Sequence, residues 1–202
     1  MHLVFDIFQG LGVAAAIGVR PFFPALVTSV LAGADIELTF HHTKVHFLQQ
    51  PAFLIVMVVA IVLLALVERR MSGLKGKLAE RPLTVVLGLC ALALGALFCG
   101  GAFGRYHHGH HHLLWVGVVV GVVCAAIGVA ATRPLLSRVR GRLDDEAGGV
   151  LPFLTDGVAA LAAALSVVAP PVGLIVVLAL LWLLIAGRGR SDRKYAGLRI
   201  LR

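Results

Sequence analysis

Long apolar runs separated by short polar stretches make up most of this chain. Three of these runs, at about 52–67, 83–103 and 113–132, carry no charged residue and are typical of single membrane helices. The runs at the two ends, 6–33 and 150–186, are interrupted by proline and are treated separately below. The pattern contains no alternation typical of strands, so it predicts an all-α membrane protein.

The first interrupted run carries Arg20, Pro21 and Pro24 near its middle. Proline removes a backbone donor and clashes with the preceding turn, and an arginine within a bilayer is costly without a partner, water or a cavity. One interpretation is a kinked helix that crosses the membrane once from the inside. The alternative is a re-entrant hairpin that folds back at Arg20-Pro21 and leaves the N-terminus outside. In either case other helices must cover the break.

The second interrupted run is too long for one membrane helix and is divided by Ala169, Pro170 and Pro171. It predicts two short helices in a hairpin, roughly 152–168 and 172–185. Asp6 precedes Pro21 by the same interval that separates Asp156 from Pro171, and the residues between them are similarly small and aliphatic. An internal repeat of broken helices indicates a transporter binding site, whereas the simpler reading is two kinked helices.

Composition places nearly the whole chain in the bilayer. Hydrophobic residues form 59% of it and charged residues 14%, and its mean hydropathy is +0.97, far from the values of soluble domains. We therefore predict about six membrane segments in one domain, 1–186, followed by a basic cytoplasmic tail, 187–202. This leaves no space for a soluble catalytic unit. The sequence also lacks P-loop, GxSxG, HExxH and CxxC motifs, so we do not expect an enzyme.

Lysine and arginine concentrate in three regions, 69–81, 133–142 and 188–202. The positive-inside rule assigns these regions to the cytoplasm, with both termini inside and the protein in the inner (plasma) membrane. The net charge of +8 is then a consequence of topology, with attraction to anionic lipid rather than to nucleic acid. The expected partner is the lipid bilayer, and self-association into a homo-oligomer is left open.

Small residues recur on the apolar runs. Gly117, Gly121, Ala125 and Gly128 are spaced about one helical turn apart, which predicts a stripe for close helix packing. The three cysteines lie within apolar runs and are expected to be packing residues. Arg133 and the basic residues after it are expected to form a solvated linker, and Pro82 to begin the helix of the third run.

A candidate anion site follows from the two breaks. Pro21 is suited to begin a short helix from Phe22, whose free N–H groups would lie beside Arg20, and a second helix start at Pro171 could converge on it. Phosphate, a carboxylate or a lipid phosphate would suit such a site. The alternative is an arginine paired with an aspartate for structural reasons. The predicted binding residues are Arg20, Pro21, Phe22, Asp156, Pro170 and Pro171. Arg20 must be neutralised by a contact from elsewhere in the bundle, a hydrated cavity or an anionic ligand, and the nearby helix N-termini favour the last two.

The two aspartates have two interpretations. Asp6 and Asp156 could relay protons, as carboxylates within membrane segments often do. Alternatively they stabilise the first turns of their helices, where an acid is favoured by the helix dipole.

Histidine clusters in the two predicted outer loops. Imidazole is a common ligand for zinc and nickel, so these loops are candidates for divalent-metal capture; the alternative is a polar loop without a ligand. No other cofactor is predicted. The candidate metal-binding residues are His41, His42, His46, His107, His108, His110, His111 and His112.

Four segments carry a family resemblance. GLGVAAAIGVRPFFPALV, QPAFLIVMVVAIVLLALVE, LPFLTDGVAALAAAL and KYAGLRILR resemble the bacterial membrane-protein family catalogued as domain of unknown function 4126. The resemblance covers most of the chain and implies an integral membrane protein, without any activity or site residue. The function must therefore be inferred from the residues themselves. They favour a small transporter or channel-like protein, with a membrane scaffold or partner subunit, or a divalent-metal uptake protein, as alternatives.

Overall fold

The computed structural model of the chain describes residues 2–34, 45–72, 77–104, 111–140 and 145–196. This part of the chain is helical throughout and contains no strand, which confirms the predicted all-α class. The helices are α1 (His2–Val19), α2 (Phe22–Gly33), α3 (Pro51–Ser72), α4 (Lys77–Gly104), α5 (His111–Arg140), α6 (Asp145–Val168) and α7 (Pro170–Ala196), with a short 3-10 helix at His46–Gln49.

Four of the described helices are long and apolar enough to cross a membrane: Leu83–Gly104, Leu114–Ser137, Val150–Val168 and Pro170–Gly187. The apolar parts of α1, α2 and α3 are shorter. Large apolar side chains are exposed along α3, α5, α6 and α7, where a soluble protein would place polar ones. The protein is therefore a multi-pass membrane protein.

Several helix ends differ from the predicted ones. α4 begins at Lys77 rather than Pro82, and α5 continues past Arg133 and Pro134 to Arg140. The solvated linker was predicted to begin at Arg133, but the residues up to Arg140 are helical. Arg133 instead joins two helices, because its Nη2 donates to the carbonyl of Thr84 on α4 at 2.9 Å. The predicted segments end at the first charged residue. A helix can nevertheless continue beyond the hydrocarbon, because its charged side chains then lie in water.

The last two helices also extend beyond the predicted hairpin. α6 begins at Asp145 and α7 ends at Ala196, and only Ala169 separates them. Residues 187–196 continue α7, so the first part of the predicted tail is helical.

Helix α1 lies at the centre of the bundle and contacts α2, α4, α5, α6 and α7. Its residues 12–18 are all buried. This is possible because they are small: a Cβ at Gly12 would overlap Gly173 of α7 and Ser166 of α6, and one at Gly18 would overlap the backbone of Ala125 on α5. The lack of side chains lets the helix backbones touch, as is common in membranes.

The small-residue stripe of α5 faces two neighbours. Gly117 and Gly121 lie against the backbone of α4, whereas Gly128 lies against Ala15 and Gly18 of α1. The predicted packing stripe is therefore confirmed. It holds α5 against the central helix as well as against its hairpin partner α4.

Helices α1 and α6 run antiparallel. Gln9 near the start of α1 bonds Val167 near the end of α6, and Arg20 after the end of α1 contacts Asp156 in the first half of α6. Both contacts fit one register, because the two pairs are separated by the same number of residues on each helix. The first and last hairpins of the chain therefore enter the bundle in opposite directions.

Helix α2 folds back beside α1 at Arg20-Pro21. Ala25 and Ala32 of α2 share one buried cluster with Val13 and Ile17 of α1, and α2 also packs against α6 and α3. The N-terminal segment therefore has the shape of the re-entrant alternative rather than that of one kinked helix. The physical reason is that Pro21 and Pro24 lack the N–H groups that would continue the helix of α1.

Candidate functional site

The first helix break holds a buried ion pair. Arg20 is 7% exposed, and its Nε lies 3.2 Å from Oδ1 of Asp156 on α6. The same Nε lies within 3.3 Å of Thr155 Oγ1, to which it donates a hydrogen bond. Thr155 in turn donates to the carbonyl of Pro152 at 2.8 Å, which fixes the hydroxyl that accepts from Arg20. The break of one hairpin is thus joined to the first helix of the other.

Local chemistry explains why Arg20 lies at this position. Its own N–H still bonds the carbonyl of Ala16 at 3.3 Å, so it completes the last turn of α1. Pro21 is buried and precedes the first residue of α2, which has no side-chain cap at its N-terminus. Arg20 is therefore adjacent to the positive end of a helix, which a nearby carboxylate stabilises.

The structure bears on two expectations: how Arg20 is neutralised, and whether Asp6 and Asp156 stabilise helix starts. The helix N-termini favoured a cavity or ligand as the partner of Arg20, but it is the remaining alternative that the structure shows: Asp156 supplies the counter-charge from elsewhere in the bundle. Asp156 also lies well inside α6, which begins at Asp145, rather than in its first turn. Asp6 is likewise outside the first turn of α1. Stabilisation of the start of its own helix therefore explains neither acid.

The second break is held by a residue that the sequence analysis did not select. Gln9 is 2% exposed, and its Nε2 donates to the carbonyl of Val167 at 2.9 Å. Val167 would normally bond the N–H of residue 171, but that residue is a proline. Gln9 replaces the missing donor. The available signal was a lone glutamine within an apolar helix, three residues after Asp6.

The two breaks lie apart along the α1–α6 pair. Asp156 and Val167 are 11 residues apart on α6, or roughly 16 Å at about 1.5 Å per residue. Arg20 is level with the first of these residues, whereas Pro170 and Pro171 follow the second. The expected convergence of two helix starts on Arg20 is therefore absent. Phe22 packs against the buried apolar cluster.

The candidate metal ligands lie outside the side chains that the structure describes. His46 is in the short 3-10 helix and His111 and His112 begin α5, while the other five predicted ligands fall in 35–44 and 105–110. Within the described residues, no group of three His, Cys, Asp or Glu side chains could hold a metal. Metal capture by the histidine loops stays a prediction. All three cysteines are free thiols, as expected for packing residues.

Comparison with protein families gives a match over most of the chain. A family model described as "Domain of unknown function (DUF4126)" matches residues 7–188, which include both breaks and every helix from α1 to the apolar part of α7. No curated protein matches the chain. No solved structure matches it either.

Proposed function

Because the chain belongs to the family described as domain of unknown function (DUF4126), whose description carries no activity, we propose a function from its first helix break: transport of a small anion across the membrane. The observation that carries this proposal is the buried Arg20–Asp156 contact between two hairpins that enter the bundle in opposite directions. Paired broken helices of this kind form the binding sites of many transporters.

An anion that competes with Asp156 for Arg20 could change the position of the α1–α2 hairpin. A phosphate or carboxylate can replace Asp156 as the partner of Arg20 without leaving the arginine uncompensated. The N-terminus of α2 lies beside Arg20 and favours an anion there. The anion then stabilises a state in which the α1–α2 hairpin is released from α6, because only that state offers Arg20 to it. Such differential affinity is what a ligand needs to shift a conformational equilibrium.

The test is anion-dependent stability of the purified protein. Melting temperature (Tm) is measured with the choline salts of phosphate, acetate and chloride, so that the cation stays constant. We expect phosphate or acetate to raise the Tm of the wild type. Asp156→Asn should respond at a lower anion concentration, because the competing carboxylate is gone, and Arg20→Leu should not respond.

Arg133→Leu is the matched control, because Arg133 also bonds across two helices but lies outside the break. It should retain the anion response. An equal response in Arg20→Leu and the wild type would contradict the proposal. Uptake of the responding anion into liposomes then tests transport directly, with Arg20→Leu as the inactive reference.

A second candidate is a membrane scaffold, favoured by the close packing around α1. Its glycines bring the central helix into backbone contact with α5 and α7, which leaves little freedom for a hairpin to move. In a scaffold, the Arg20–Asp156 pair would serve only assembly. Variants of the pair would change stability but would give identical, flat anion responses.

A further inference from the structure

Arg133 of α5 lies where two helices reach the boundary of the membrane. The apolar part of α5 is Leu114–Ser137, and that of α4 is Leu83–Gly104. Arg133 is four residues before the end of the first, or roughly 6 Å at about 1.5 Å per residue. Its Nη2 donates to the carbonyl of Thr84, the second residue of the other, at 2.9 Å. The guanidinium is therefore close to the level of the lipid headgroups.

The contact with α4 determines where this side chain lies. A Cβ at Gly88 would overlap Nη2 of Arg133, so the guanidinium occupies space that only a glycine leaves. Gly88 is one helical turn after Thr84, whose carbonyl accepts the hydrogen bond. That bond takes one of the five N–H donors of the planar guanidinium. Arg133 is nevertheless an exposed residue, so the group is accessible from the membrane.

Basic residues are concentrated around this contact. The helix segments 77–84 and 133–140 contain five basic residues and one acid. Arg81 precedes Thr84 by three residues, so its position is on the same face of α4. The positive-inside rule assigns this boundary to the cytoplasm. A local excess of positive charge therefore lies at the level where a bilayer presents its phosphates, and it favours a negatively charged partner.

An exposed apolar face continues from Arg133 toward the middle of the membrane. Ala126 and Ala130 precede Arg133 by seven and three residues, which places all three on one face of α5. Both alanines are exposed, as is Arg133. Their small side chains leave a shallow surface with room for an acyl chain. A cation at the boundary followed by an apolar face matches the order of phosphate and acyl chain in a phospholipid.

We propose that an anionic phospholipid binds at this boundary, with its phosphate on the guanidinium of Arg133 and an acyl chain along the face of Ala126 and Ala130. The planar fork of arginine matches two oxygens of a phosphate, and basic sites between membrane helices commonly bind acidic headgroups. An anionic lipid suits the site better than a zwitterionic one, because the local excess of positive charge opposes a choline group. The proposal does not rest on anion transport, since Arg20 is buried at the first helix break.

The test uses the purified full-length protein in detergent and compares phosphatidylglycerol with phosphatidylcholine of the same acyl chains. Phosphatidylglycerol should raise the Tm of the wild type by roughly 3–6 °C when it is about ten times its Kd, and phosphatidylcholine should have a smaller effect. Arg133→Leu should lose this difference. Arg133→Lys should retain part of it, because the charge remains and the fork is lost. Ala130→Phe should weaken the response without changing any charge.

Arg105→Leu is the matched control for net charge, because Arg105 lies in the segment that follows α4, at the opposite end of that helix. It should keep the full response to phosphatidylglycerol. Native mass spectrometry of the wild type counts the lipids that stay bound, so the comparison of the two lipids stands even where a variant fails to fold.

Equal retention of both lipids and equal Tm shifts in the wild type would overturn the proposal. An unchanged response in Arg133→Leu, or an equal loss in Arg105→Leu, would overturn the assignment to Arg133. A response to inorganic phosphate that Arg133→Leu abolishes would mean that free phosphate, rather than a lipid, is the ligand. The two proposals fail separately, because Arg20→Leu should lose the response to inorganic anions and keep the response to phosphatidylglycerol.

Discussion

Arg20 is stable inside the bundle because a carboxylate from another helix lies within ion-pair distance. Its side chain is 8% exposed and that of Asp156 is 17%, so neither charge is well hydrated. In such a site the attraction between the charges does not guarantee a large net gain, because both lost their water. Loss of one partner is costly, however, since it leaves an uncompensated buried charge.

We predict that the single variants Arg20→Leu and Asp156→Leu each lose about 3–5 kcal/mol of stability and that the double variant recovers most of it. The double variant removes both charges, so no desolvated charge is left. A double-mutant cycle of thermal unfolding in detergent measures the coupling. Additive losses in the double variant would show that the pair contributes little beyond its separate packing.

Gln9 should matter for a different reason, because it supplies a single hydrogen bond to a backbone carbonyl. Gln9→Met keeps the length of the side chain but removes the donor. We expect a loss of about 1–3 kcal/mol, the cost of leaving a buried carbonyl without its partner. Thermal unfolding measures the loss, and Met57→Leu, another buried side chain in the apolar core, is the control for repacking. A fully stable Gln9→Met would mean that Val167 finds another donor.

Among the described helices, α1 is the most constrained, because five other helices contact it. Its small residues, rather than a strongly apolar face, allow this packing. Residues 12–18 of α1 are buried, whereas most of α3 is at least partly exposed, although both helices are apolar. Substitutions of equal size should therefore have very different effects in α1 and in the outer helices.

Gly12→Ala is predicted to destabilise the bundle by at least about 1–3 kcal/mol, because the new Cβ would overlap the backbone of α7. Gly157→Ala on α6 is the matched control, since a Cβ there meets no atom within 4 Å. It should be neutral or stabilising by up to about 1 kcal/mol, the gain in helix propensity. The Tm of each variant is measured by thermal unfolding. Similar Tm values would contradict the tight contact of α1 with α7.

At the scale of the whole molecule, the antiparallel α1–α6 pair determines how the two ends of the chain relate. The basic residues 133–142 precede α6, and the positive-inside rule assigns them to the cytoplasm with the C-terminal tail. If α6 starts at the cytoplasmic side, α1 starts at the outer side. This assignment differs from the expectation that both termini are cytoplasmic, and labelling of the termini decides between the two.

We therefore predict that the two termini lie on opposite sides of the membrane. A cysteine added before Met1 should react with a membrane-impermeant maleimide in intact cells, whereas one added after Arg202 should react only after permeabilisation. The native cysteines are replaced by alanine in both variants. Protection of both added cysteines in intact cells would indicate that the N-terminus is inside and would contradict the antiparallel insertion.

The sequence was sufficient to predict features that depend on local chemistry. Apolar runs give membrane helices because unpaired backbone groups are too costly in hydrocarbon, and prolines break a helix wherever they remove its donors. Both breaks follow from these rules, and the cost of a charge in hydrocarbon likewise indicates that Arg20 needs a partner. The helix ends were less predictable, because charged residues such as Arg133 can end an apolar run without ending the helix.

Tertiary structure alone decided which residues meet. Arg20 had two acids available at equal intervals from the breaks, and only the antiparallel register of α1 and α6 selects Asp156. The same register separates the two breaks, gives Gln9 its role at Val167 and makes the N-terminal segment a hairpin. The physical reason is that composition determines whether a helix enters the membrane, whereas the direction and neighbours of that helix depend on close contacts between residues distant in the chain.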